Sequence, residues 1–186
     1  MIDKARIEQA VISIIESIDE DPYREGLVDT PRRIAEMYDE VFAGIYRDPK
    51  EELQVGFEEG HHEMVIFKDI PFYSMCEHHF LPFYGFAHVG YIPNGRVVGA
   101  SKIGRVVEIL AKRPQLQERL TTQIADNILE ALQPQGVAVV IQAEHLCMTM
   151  RGVKQPGSNI ITSATRGLFR RSPLTRSEFL SLVQSK

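Results

Sequence analysis

Gly85-Phe86-Ala87-His88-Val89-Gly90-Tyr91 reads as a strand, and so does Met64-Val65-Ile66-Phe67 upstream of it. Between them lies Cys76-Glu77-His78-His79, in the bend expected to join them, with Pro71 and Pro82 crowding either side. Downstream, Gly136 to Ala143 is a run of β-branched and small apolar residues. It reads as a buried strand that continues into Glu144-His145-Leu146-Cys147, with Ile160 to Ala164 as its hairpin partner. Pro93-Asn94-Gly95 is a turn. Helix is expected from about Ser101 to Lys112, broken at Pro114, and again from Leu116 to Leu132, closed by Pro134-Gln135-Gly136.

Nearer the N-terminus the period is helical. Ile7, Val11, Ile14 and Ile18 recur at spacings of three and four, so residues 3–18 form an amphipathic helix. Asp29-Thr30-Pro31 opens a second, with Ile34, Met37, Tyr38 and Val41 as its stripe, ending at Gly44. Residues 48–63 are polar and read as a loop. Thr175-Arg176-Ser177-Glu178 reads as a capping box for a last helix through Phe179, Leu180 and Val183. The expected order, ααβ(β)ααββα, is an α+β fold: an antiparallel sheet with helices on one face, residues 1–47 being a helical appendage and 48–186 the main domain.

A chain of 186 residues, 44% hydrophobic and 25% charged, has the composition of a soluble globular domain. No apolar run approaches the roughly 20 residues that span a bilayer, and no signal peptide is expected. The net charge of −4 hides an asymmetry: residues 1–93 sum to −11 and residues 94–186 to +7. The basic half has no Lys/Arg block of the kind that binds nucleic acid; its cations stand singly, as around a small anion or on a solvated surface.

The two cysteines each have histidines nearby, Cys76 with His78 and His79, Cys147 with His145. Thiolate and imidazole are ligands Zn²⁺ favours, at about 2.3 and 2.0 Å, and three protein ligands leave a fourth position open. In a turn, Cys76 and His79 at i, i+3 face one way and His78 another; in a strand, His78 would share the cysteine's face instead. On a continuing strand His145 and Cys147 share a face, about 6–7 Å apart. A disulfide between the cysteines and a metal-free, buried Cys147 are the alternatives. His61-His62 reads as a solvated pair and His88 as a strand-face residue.

Gly99-Ala100-Ser101-Lys102-Ile103-Gly104-Arg105 places a hydroxyl and two cations at a helix start, where backbone N–H groups favour an anion. Arg151 and Lys154 would add charge to that pocket; an ordinary helix surface is the alternative. Glu118, beside Gln117, has a carboxylate suited to the N1–H and 2-amino edge of guanine, or merely complements a helix dipole.

Taken together, Ser74-Met75-Cys76-Glu77-His78-His79, Gly99-Ala100-Ser101-Lys102, Arg113-Pro114-Gln115-Leu116-Gln117-Glu118-Arg119-Leu120-Thr121 and His145-Leu146-Cys147-Met148 with Arg151-Gly152 resemble GTP cyclohydrolase I, in order and at family-like spacing. That resemblance implies an enzyme that opens the imidazole ring of GTP, releases C8 as formate and closes a dihydropterin, 7,8-dihydroneopterin triphosphate, at the entry to folate and other pterins. It implies zinc on Cys76, His79 and Cys147, with His145 as the acid at N7 and His78 assisting ring opening. Glu118, with Gln117, would read guanine, and Ser101, Lys102, Arg105 and Arg151 would hold ribose and triphosphate. It further implies a cytoplasmic, toroidal homodecamer of T-fold subunits with sites at subunit boundaries. Two other classes fit parts of the pattern. A nitrile reductase of the same fold would use a cysteine nucleophile and NADPH without zinc. A purine- or zinc-binding module would leave His78 and His145 without a purpose.

Overall fold

The computed structural model describes residues 2–185. Two helices come first, α1 (Lys4–Ser17) and α2 (Thr30–Val41), followed by a 3₁₀ turn at Pro49–Leu53. The strands β1 (Gly56–His61), β2 (Val65–Cys76), β3 (Pro82–Ile92) and β4 (Gly95–Val98) lead into helix α3 (Ala100–Ala111). A two-residue strand β5 (Pro114–Gln115), helix α4 (Gln117–Leu132), strand β6 (Gly136–His145) and the single turn α5 (Leu146–Thr149) follow. Strand β7 (Ile160–Gly167) and helices α6 (Leu168–Arg171) and α7 (Pro173–Gln184) complete the fold.

The main sheet has the order β5-β2-β3-β6-β7, antiparallel throughout except for the short parallel pairing of β5 with β2. Alternation along β3 and β6 decides what covers it. Val89, Tyr91, Val137, Val139 and Ile141 point to one face and are fully buried against Ile103, Val107, Leu110, Leu120, Ile124 and Ile128 of α3 and α4. Each such side chain contributes about 1.5–3 kcal/mol, against about 0–1 kcal/mol for an exposed ion pair such as Arg32–Glu36. This interface therefore fixes where α3 and α4 lie.

The expectation of helices on one face only is corrected by α6 and α7. Phe169 and Phe179 pack against Ile92 and Ala138, residues that alternate with the first set and so belong to the opposite face. Gly90 permits this approach, since a Cβ there would lie 2.7 Å from the Phe179 ring. The cap of α7 is Ser172, whose hydroxyl accepts from the Thr175 N–H at 3.2 Å, with Pro173 opening the helix. The capping box expected at Thr175 is thus displaced by three residues, because Ser172-Pro173 makes the better start.

The segment 48–63 is not a loop throughout. Asp48 caps the 3₁₀ turn through the Lys50 N–H at 3.0 Å, and β1 pairs with β4 in a separate two-stranded sheet. Neither face of β1 is buried, so its residues carry no apolar alternation to reveal it. Strand β2 runs through Pro71, which lies where only β3 flanks it, a position that tolerates a missing N–H. Helix α1 is capped by Asp3 and packs on α2 through Val11, Ile15 and Ala35, with Lys4 and Asp39 paired at 2.8 Å. The chain after α2 is seated on the C-terminal end of α3: the Gly44 N–H donates to the Lys112 carbonyl at 3.0 Å, and Arg113 Nε donates to the Gly44 carbonyl at 2.9 Å. Residue 44 must be glycine for this contact, since a Cβ would fall 2.0 Å from the Ile109 carbonyl oxygen.

Candidate metal centre and its surroundings

Strand β2 ends at Cys76 in a tight turn. The Cys76 carbonyl accepts from the N–H groups of His79 (3.3 Å) and Phe80 (2.8 Å), and the Cys76 N–H donates to the Leu81 carbonyl at 2.9 Å. Phe80 closes the turn in the left-handed region, φ 52°. The turn is therefore hydrogen-bonded on both sides of Cys76, and it carries His78 and His79 at the surface.

Across from it, β6 stops at His145 and the chain winds into α5, so Cys147 stands on a helical turn and not on a continuing strand as the sequence suggested. The helical turn carries Cys147 out of the plane of β6. Its Sγ lies 4.0 Å from that of Cys76, and ligand atoms of Cys76, His79 and Cys147 all lie within 4.8 Å of one another. His78 is not part of this cluster; its ring is perpendicular to that of His79, 6.3 Å away. Burial pushes the Cys147 thiol pKa up, the adjacent Cys76 adds to this, and the Arg151 cation opposes it. A bound cation would reverse that balance by favouring thiolate.

His145 forms the floor beside the cluster. It is 8% exposed and stacks on Phe83 with ring centres 4.6 Å apart and planes at 6°. Its Nε2 lies 2.8 Å from Gln117 Oε1. Burial lowers its pKa, and the carboxylate of Glu118 pulls the other way, which places Glu118 within electrostatic reach. Gln117 and Glu118 occupy the first turn of α4, Glu118 exposed and Gln117 1% exposed. The Gln117 side chain, expected at the guanine, is turned inward: its Nε2 donates to the carbonyls of Ile141 and Ile160 and to Thr162 Oγ1 at 3.0–3.2 Å.

Glu77, within the turn, holds Arg119 of α4 through both carboxylate oxygens, one at 2.9 Å, and that guanidinium keeps the Glu77 pKa below the usual carboxylate range. The Glu77 N–H also donates to the Gln115 carbonyl at 3.1 Å, and Cys76 is the ladder partner of Gln115. An ion pair this exposed adds little stability. Together with β5, it holds the Cys76–His79 turn in register with the first turn of α4.

The structure brings together Cys76, His78, His79, Cys147, His145, Gln117 and Glu118, with Arg151 just beyond α5. It does not bring Ser101, Lys102 and Arg105 there. Ala111, at the far end of α3, bonds Ser74 near the cluster, and at 1.5 Å per residue Lys102 lies about 13 Å back along the axis. Lys102 and Arg105 instead converge on Glu52, at 3.2 and 3.3 Å, and chiefly the Lys102 hydrogen bond lowers the Glu52 pKa. Glu52, Phe83, the Glu77–Arg119 pair and the Gln117–His145 bond were not legible in the sequence, because each partner lies dozens of positions away and no local pattern marks it.

The sequence profile described as GTP cyclohydrolase I matches residues 7–184. The chain is 64% identical to GTP cyclohydrolase 1 of Dehalococcoides mccartyi strain CBDB1 over the whole of both chains. It is 65% identical to that of Carboxydothermus hydrogenoformans over 98% of this chain and 96% of the relative, and 60% identical to that of Geobacillus kaustophilus over 99% and 98%. Among solved structures, the apo form of the archaeosine synthase QueF-Like is a remote likeness, 22% identical with a TM-score of 0.45, covering 56% of this chain and 93% of that one.

Proposed function

The chain belongs to the GTP cyclohydrolase I family, and from that premise we propose how its own residues divide the reaction. The protein is a hydrolase that converts GTP to 7,8-dihydroneopterin triphosphate with release of formate, the first step of folate biosynthesis. In our reading Cys76, His79 and Cys147 hold a zinc ion. The donor set supports it: two sulfur atoms at 4.0 Å are close to the roughly 3.8 Å that two tetrahedral bonds of about 2.3 Å require. Zinc held there would bring the pKa of a bound water toward neutrality, for attack at C8.

The remaining work falls to the protein. His145 donates a proton to N7, which makes C8 electrophilic, and the exposed His78 carries protons during ring opening. Glu118 accepts from the N1–H and 2-amino group of guanine, with Gln117 beneath it. Ser101, Lys102, Arg105 and Arg151 hold ribose and triphosphate. The observation that carries this reading is the convergence of Cys76, His79 and Cys147 beside His145 and within electrostatic reach of Glu118.

The distance of Lys102 and Arg105 from that cluster supports a site completed by a neighbouring subunit, hence a toroidal T-fold homodecamer built of two pentamers. Reduced thiols as ligands suit a cytoplasmic enzyme. The test is direct: incubate the purified protein with GTP and measure formate and pterin fluorescence. Both should appear with GTP and neither with ATP, whose 6-amino group and bare C2 cannot satisfy Glu118. GTP binding without formate would reduce the protein to a purine-binding module.

A further inference from the structure

The Gln117 side-chain amide has one orientation open to it. Its Nε2 faces two backbone carbonyls, Ile141 at 3.2 Å and Ile160 at 3.0 Å, and a carbonyl oxygen can only accept. The nitrogen end is thereby identified, and a third contact, Thr162 Oγ1 at 3.1 Å, completes its surroundings. That hydroxyl lies 2.6 Å from Thr121 Oγ1, which itself bonds the Gln117 carbonyl at 2.7 Å. Flipping the amide would set its oxygen against two carbonyl oxygens in a site 1% exposed, leaving buried polar groups unpaired.

Oε1 must then be the end that meets His145, 2.8 Å from Nε2. An amide oxygen only accepts, so Nε2 of His145 carries a hydrogen, whether the ring is neutral or charged. Turned over about Cβ–Cγ, the ring would present Cε1 to Oε1 and lose this hydrogen bond, so the bond itself selects the orientation while Phe83 stacks on the ring's face. Nδ1 has no protein partner among the described residues.

We propose that Gln117 is a positioning residue for His145: it fixes the ring's orientation and its Nε2–H tautomer, so that Nδ1 is the atom presented to the substrate. The inference rests on the function proposed above, which makes His145 the acid at N7. The step is then specific in its atoms. The Nδ1–H bond of the charged ring breaks, the N7–H bond of guanine forms, and the ring is left neutral with its lone pair on Nδ1 and its Nε2–H still on Gln117.

Solid-state ¹⁵N NMR of the histidine-labelled wild-type enzyme tests the tautomer, with the His145 signals assigned by their loss in His145→Ala. At alkaline pH, where the ring is neutral, Nε2 should carry the hydrogen; an Nδ1–H tautomer overturns the proposal. Gln117→Met keeps the volume and removes the amide. It should lower kcat by about 10²-fold while KM for GTP and metal content stay within about twofold, and the ring should become a tautomeric mixture. Unchanged kcat, or a raised KM at unchanged kcat, overturns the proposal and returns Gln117 to the guanine. Should Gln117→Met not fold, the wild-type spectrum still decides. Absence of formate from the wild type would sink the function and leave the tautomer result intact, so the two failures are distinguishable.

Discussion

Cys76 and Cys147 show how much one residue can carry. In the proposed site, serine at either position would replace a thiolate by a poor zinc ligand, and three ligands leave none to spare. Cys76→Ser and Cys147→Ser should each lose the roughly one zinc per chain that plasma emission spectrometry should find in the wild type, with formate release at background. Zinc retained in both variants would remove the cysteines from the site. With their sulfur atoms 4.0 Å apart, the same two residues should form a disulfide when the metal-free protein meets an oxidant, read as loss of both free thiols. Glu118 is a separate case, since its carboxylate is exposed and forms no ion pair among the described residues. Glu118→Gln exchanges a charged acceptor for a neutral one, and should weaken GTP binding by about 1.5–3 kcal/mol with the fold unchanged. Equal KM and kcat for the two proteins would dismiss it as the base reader.

At the scale of elements, β2 and α3 each make a prediction. The bulge in β2 puts Asp69 at φ 56°, where its N–H donates to His88 Nδ1 at 3.2 Å. Burial lowers the His88 pKa; the Asp69 carboxylate at 3.8 Å opposes this, and Lys68 reinforces it. A histidine with a depressed folded pKa binds its proton more readily when unfolded. Stability from this site is therefore whole above the unfolded value, near 6.5, and is lost as pH falls below it toward the folded value. Denaturant midpoints of the wild type should fall over that range more steeply than those of His88→Gln; parallel curves would show that His88 contributes nothing. In α3, a Cβ on Gly104 would meet nothing within 4 Å, so Gly104→Ala should stabilise by about 0.4–1 kcal/mol. A lower melting temperature would show that the space beside Gly104 is filled in the assembled protein. Strands β3 and β6 were legible from their apolar, β-branched runs, and α3 and α4 from the breaks at Pro114 and Pro134 that bound them. Strand β1 was not, because a strand with no buried face has no period to read. The turn α5 was not either, since four residues are too few to show 3.6 against 2, and Cys147 was accordingly placed on a strand. The single-faced sheet failed for another reason: Ala138 and Gly90 are small, and small residues do not announce that phenylalanines from α6 and α7 lie over them.

For the molecule as a whole, the decisive quantity is the distance between the two ends of α3. Lys102 and Arg105 face Glu52, about 13 and 9 Å back along the axis from Ala111, whose end of the helix lies near the cysteines. In the proposed assembly a triphosphate is reached by the cations of one chain and the cysteines of another, so activity should require assembly. Light scattering coupled to size exclusion should give a mass near ten times 21.1 kDa, and the fraction of the protein in that species should track formate release on dilution. The charges give a second readout. Neutralising Lys102, Arg105 or Arg151 should raise KM for GTP and make it less sensitive to salt, because a screened cation that is absent no longer responds. Mixing Lys102→Ala chains with Cys147→Ser chains should then regain activity, since some boundaries would pair an intact cation end with an intact metal end. Two inactive variants that remain inactive after co-assembly, at a mass that confirms mixing, would mean that each chain builds its site alone and that α3 bends its cations toward its own cysteines when GTP is bound.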